Sequence, residues 1–207
     1  MDDSLMVQGD ETPEMAPLKI SMEQMITLHG FFAEAAAVGE SAMAEICGCE
    51  TEVEVLEIRA TLLGEFGESG MRLSEDLVAG VIGRLEGDMP GSLNIVLEPE
   101  DALVWAQMGS FENPLKTFVS LGTKFLDGLA VGLAEILEAE CEFQGAALVE
   151  ESELAMFVKT HAPSDTIVFS LRLRITARDE IVSAVSHLLV EPKYLARLFS
   201  ALSAAVH

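Results

Sequence analysis

Few side chains in this 207-residue sequence are spaced for chemistry. Its three cysteines are Cys47, Cys49 and Cys141, and the Cys47-Gly48-Cys49 spacing is too tight for an unstrained disulfide. Semi-buried thiols in a reducing compartment are the expectation. Zinc would need further ligands, and His29, His161, His187 and His207 stand at no metal spacing to the cysteines. Glu34 and Glu40 are six positions apart and share no helix face, so they form no acid–base dyad. Lys124 and Asp127, one turn apart, suggest a solvated ion pair. His161 falls in the loop Thr160-His161-Ala162-Pro163, and Trp105 is expected to pack against a sheet. The only two asparagines are Asn94 and Asn113, and neither follows a glutamate by three positions. No phosphate loop, nucleophile elbow or dinucleotide fingerprint is present. The residues alone imply no catalytic group, metal or cofactor.

The composition narrows the partners. There are 35 acidic side chains against 12 basic ones, a formal net charge of -23, while half of all residues are hydrophobic. Mean hydropathy is +0.34, too apolar for a disordered acidic chain. A surface of this charge repels phosphate backbones and anionic lipid, which disfavours nucleic acid and membrane surfaces and favours a basic docking face. The start, Met1-Asp2-Asp3-Ser4-Leu5, is acidic rather than basic, and no stretch approaches 18 uninterrupted apolar residues. A cytoplasmic protein without membrane insertion is expected.

The elements that must position any site follow from the local patterns. Residues 1–18 carry five acids and no base, an expected mobile tail before a single domain over 19–207. Ser21 and Gln24 fit a capping box opening a helix to Cys47, with Gly30 a point of weakness and Gly48 the stop. Thr51 to Ile58 alternates acids with apolar residues, as a half-exposed strand does. Leu77–Leu85 and Ser92–Leu97 suggest strands flanking the turn Gly87-Asp88-Met89-Pro90-Gly91. Pro99 then opens a helix ending before Gly109. Pro114 opens a second long helix to about Glu138. It is followed by strands at Cys141–Val149, Glu153–Lys159, Thr166–Ile175 and Ile181–Val190, and by a last helix from Pro192.

This order is a repeat. Met43-Ala44-Glu45-Ile46 matches Leu133-Ala134-Glu135-Ile136 at an offset of 90, and Val96-Leu97-Glu98-Pro99 matches Leu189-Val190-Glu191-Pro192 at 93. Two halves, about 20–110 and 111–207, predict an α+β fold with pseudo-twofold symmetry. Its two long helices would lie side by side on one face of a shared antiparallel sheet.

The run from Gly87 through Ser92-Leu93-Asn94-Ile95-Val96-Leu97 to Pro99-Glu100-Asp101-Ala102 resembles a signature of the CheC–CheX–FliY chemotaxis phosphatase superfamily. The ending Ser186-His187-Leu188-Leu189-Val190-Glu191-Pro192, with Leu195, Leu198 and Leu202, is similar to the last strand and helix of CheC. The resemblance spans about residues 20–205. It implies a chemotaxis or flagellar-switch protein that binds a CheY-type response regulator and, in many members, hydrolyses its aspartyl phosphate. Members do this with a Glu-x-x-Asn pair on a long helix: the amide orients water, and the magnesium belongs to the regulator. In register, that pair falls on Gly30 and Ala33 in the first helix and on Ser120 and Thr123 in the second. A shift of two gives Phe32 with Ala35 and Gly122 with Phe125. None restores the pair, so the expectation is a CheC-like protein that docks to a CheY-type receiver or another chemotaxis protein without the standard phosphatase activity. Ser120, Thr123 and Lys124 are the candidate partner face. The rivals are an active phosphatase with a diverged site and a self-associating module or homodimer joined through apolar sheet edges.

Overall fold

Ser21 starts the first helix as its pattern predicts. In a computed structural model, which describes residues 18–65, 79–109, 111–150 and 162–205, Ser21 Oγ accepts from the Gln24 amide at 3.2 Å. The Gln24 side chain returns the bond to the Ser21 amide at 2.8 Å, closing the capping box. Helix α1 (Met22–Cys47) runs through Gly30 without a break, because Leu28, Phe31 and Phe32 on either side are anchored in the core. Gly48 ends it at φ 63, the left-handed conformation that a side chain would oppose.

Strands β1 (Thr51–Leu62), β2 (Ala79–Gly87) and β3 (Gly91–Leu97) follow, then helix α2 (Pro99–Met108). Helix α3 (Pro114–Leu137) starts with the Asn113 side chain accepting from the Lys116 amide at 3.2 Å. Strands β4 (Cys141–Glu150), β5 (Ile167–Ala177) and β6 (Glu180–Val190) and helix α4 (Pro192–Ala205) complete the order. The β5–β6 turn is Arg178-Asp179 with φ 53 and 67, the left-handed pair that a two-residue hairpin demands. Arg178 Nε donates to the Cys47 carbonyl at 3.1 Å, fastening this hairpin to the end of α1. Residues 1–17 of the expected tail, the strand at Glu153–Lys159 and His161 lie outside the described residues, while Leu18, the tail's last residue, packs against the core.

All pairings are antiparallel, and the strand order is β1-β5-β6-β3-β2-β4. The two long helices lie against each other across small residues. A Cβ on Gly128 would sit 2.6 Å from the Gly39 Cα, and one on Gly132 would sit 2.6 Å from the Ala35 Cα. Those contacts run in opposite senses along the two chains, so α1 and α3 are antiparallel. A Cβ on Gly122 would meet Val81 at 2.7 Å, which seats α3 directly on the sheet. The core between helices and sheet holds Phe32, Phe125, Leu93, Ile95 and Phe169, all fully buried. Helix α3 is long and apolar enough to cross a bilayer, yet 61% of its most apolar window is buried within the fold. Its apolarity serves the core.

Strand β1 departs from a clean alternation. A bulge between Val55 and Glu57 turns Leu56 outward, leaving it 43% exposed. His29 Nε2 donates to the Val55 carbonyl at 2.9 Å just before the bulge. The acids of this strand are largely neutralised within the sheet. Glu54 pairs with Arg174, and Glu57 lies 2.7 Å from Arg59 and 3.8 Å from Arg172. The cross-strand arginines of β5 thus occupy part of this acidic face, while exposed Glu52 makes no ion pair among the described residues.

Candidate functional site

Helical period decides which residues of the long helices face outward. On α3, Phe118, Leu121, Gly122, Phe125 and Leu129 point into the fold, so Ser120, Thr123, Lys124 and Asp127 lie on the outer side. Ser120 and Thr123 are half-buried and Lys124 is exposed. Lys116, one turn before Ser120, holds its ammonium 4.8 Å from the centre of the Phe111 ring. The outer ridge at positions 116, 120 and 124 therefore carries two cations flanking a hydroxyl, with a second hydroxyl at Thr123 beside it. Lys124 makes no ion pair among the described residues, and the expected Lys124–Asp127 pair does not form. Both side chains are exposed enough for water to solvate them separately, and exposed pairs gain little by closing.

On α1 the corresponding positions are Gly30, exposed, and Ala33, half-buried. A Cβ on Gly30 would meet nothing within 4 Å, so this is open surface. Because the helices are antiparallel and meet at Gly39–Gly128, the two candidate positions sit toward opposite ends of the pair. Their nearest members, Ala33 and Thr123, are separated by roughly 16 Å along the helix axis at about 1.5 Å per residue. They cannot act on one substrate atom together.

Neither end carries the Glu-x-x-Asn pair that the resemblance implies. Gly30 and Ala33 have no functional group, and Ser120 and Thr123 offer hydroxyls without an adjacent amide. Glu34, exposed beside Ala33, stands apart from Glu40, whose carboxylate accepts the Val53 amide at 2.8 Å and so caps the entry to β1. The cysteines are free thiols; burial pushes Cys47 and Cys141 up from the ordinary thiol range, away from the nucleophilic thiolate. Trp105 is fully buried in the core shared with the sheet and donates to the Phe118 carbonyl at 3.2 Å, holding α2 against α3.

The sequence patterns did not single out a buried polar cluster at the middle of the sheet. His187 on β6 lies opposite Asn94 on β3, and His187 Nδ1 is 2.7 Å from Asn94 Oδ1, so the imidazole donates. Ser186 Oγ donates to the Asn94 carbonyl at 2.8 Å. Burial holds the His187 pKa down at about 4, keeping the ring neutral. The signal was available: the offset of 93 that matches Glu98-Pro99 with Glu191-Pro192 also carries Asn94 onto His187.

No protein-family model matches the chain, and no curated protein matches it in sequence. Solved structures do match in fold. The crystal structure of Thermotoga maritima FliY superposes with a TM-score of 0.72 at 11% identity, covering 90% of this chain and 99% of that one. The FliM middle domain from H. pylori superposes at 0.57 with 14% identity, covering 89% of this chain and 99% of the other. The FliM of the H. pylori FliG–FliM complex gives 0.56 at 12% identity, with 89% and 100% covered. The chain has a CheC/CheX/FliY-like fold.

Proposed function

We propose that this chain is a chemotaxis or flagellar-switch protein of the cytoplasm that docks to a phosphorylated CheY-type receiver domain without hydrolysing it. The observation that carries the proposal is the outer ridge of α3, where Lys116, Ser120, Thr123 and Lys124 stand together. A phosphorylated receiver presents a dianionic phosphoryl group. Two ammonium groups and two hydroxyl donors suit that charge, and the missing amide leaves no group to orient water for attack. The ridge is locally basic on a chain of net charge -23, so docking there draws on short-range contacts rather than on the overall field. A solved structure similar to this fold is that of a FliG–FliM complex, which supports a docking role for the architecture.

The same reading treats the chain as a pseudo-twofold tandem repeat. Its strand order is unchanged when β1, β2 and β3 are exchanged with β4, β5 and β6, and the repeat-related Asn94 and His187 face each other across the central β3–β6 pair. This supports an ancestral half of two helices and three strands, with one such half supplying the cationic ridge and the other not.

The test is binding of a receiver domain loaded with beryllofluoride, measured by titration calorimetry. Lys124→Glu is expected to weaken binding by about tenfold, while Glu34→Gln on the other helix leaves it unchanged. Binding indifferent to Lys124→Glu would place the partner elsewhere and overturn the assignment of this face.

A further inference from the structure

On the sheet face away from α1 and α3, a cleft of about 290 Å³ opens where strands β2, β3 and β6 end. Its residues follow from the register. Leu93, Ile95 and Leu97 of β3 enter the helix-side core, so Ser92 faces the other way, and Arg84 of β2 and Leu189 of β6 lie directly across from it. These three make one row beneath the cleft, and Pro90 and Pro163 give it apolar walls.

Arg84 is exposed and makes no ion pair among the described residues. Among the described arginines only Arg84 holds neither a carboxylate nor a backbone carbonyl. Arg59, Arg172, Arg174, Arg197 and Lys193 each hold a carboxylate, and Arg178 binds the Cys47 carbonyl. In so acidic a chain, a guanidinium that pairs with no carboxylate among the described residues and stands beside a hydroxyl is poised for an anion from outside. A second polar group in the lining is also unspent. The Thr166 hydroxyl is buried without a hydrogen-bond partner among the described residues. Glu191 borders the cleft with its carboxylate 2.7 Å from Lys193. Its charge disfavours a dianion such as phosphate and leaves room for a singly charged group.

We infer that this cleft binds a monocarboxylate carrying a short apolar group, either a small free acid or the C-terminus of a peptide. The carboxylate pairs with the Arg84 guanidinium and accepts from Ser92, and the apolar portion lies against Leu189 and the two prolines. The volume admits only a small ligand or the last residues of a chain. This site is separate from the α3 ridge and does not depend on the receiver-docking proposal.

The test follows backbone amide resonances of Gly91, Ser92 and Val190 in the full chain at constant ionic strength. Titration with sodium butyrate is expected to shift them saturably, whereas butyramide, of the same shape without the charge, does not. Arg84→Gln is expected to weaken butyrate binding at least about tenfold with no change in melting temperature. Glu191→Gln removes a like charge near the ligand and should tighten it by about threefold. A parallel titration with acetyl-alanyl-valine as the free acid and as its amide distinguishes the sources. Tighter binding of the free acid peptide than of butyrate assigns a peptide end, and the reverse assigns a small acid. Equal shifts with butyrate and butyramide, indifference to Arg84→Gln, or no saturable shift with either acid would overturn the inference.

Discussion

His187 sits neutral in the middle of the sheet, and that has a consequence in solution. Burial lowers its pKa from the ordinary histidine value to about 4, so between the two values the unfolded chain binds a proton that the folded chain refuses. Stability must therefore rise with pH through that window and fall as pH drops below about 6.5. Between pH 7.5 and pH 5.5 the loss from this one group is about 1 kcal/mol. Chemical denaturation at the two pH values should show that loss on top of the carboxylate background, and His187→Gln should remove it. An identical pH dependence in the variant would mean that His187 is protonated in the native state. At this scale the sequence was only partly legible. The capping box of Ser21 and Gln24 and the stop at Gly48 could be read from the residues themselves, since each depends on neighbours within a few positions. The Asn94–His187 contact depends on strands 93 positions apart, and only the repeat offset pointed to it.

Among the elements, the α1–α3 contact is the most constrained by packing. Gly128 and Gly132 meet the α1 backbone itself, where no side chain can swing aside. Gly128→Val is expected to destabilise the fold by about 1–3 kcal/mol through overpacking. Gly30→Ala, on the open face of α1, should stabilise it by about 0.5–1 kcal/mol, because alanine loses less backbone entropy in a helix. Melting curves of the two variants must move in opposite directions; a shared direction would contradict the helix packing described. The strand and helix positions were legible because their periods are local. The order in which the strands pair was not, since β1 and β4 each join the opposite half of the chain. The bulge at Leu56 and the arginines that neutralise Glu54 and Glu57 were hidden for the same reason: both belong to pairing with β5.

For the whole molecule, the net charge of -23 now has a distribution rather than a single meaning. Part of it is consumed in the β1–β5 ladder, Asp88 is tied to the Glu140 amide and Arg197, and the outer ridge of α3 carries Lys116 and Lys124 beside the acid Asp127. On the reading we propose, that ridge stands where the resemblance locates a catalytic pair, and its residues hold a phosphoryl group without directing water at it. Docking without hydrolysis is therefore the central claim. The direct measurement is phosphate release from a phosphorylated receiver domain, with and without a stoichiometric amount of this protein, alongside complex formation in the same samples. We expect a complex and a release rate within about twofold of the receiver alone, since the amide that would orient the attacking water is missing. A release rate raised tenfold or more, and returned to baseline by Ser120→Ala/Thr123→Ala, would make those hydroxyls catalytic and contradict the claim.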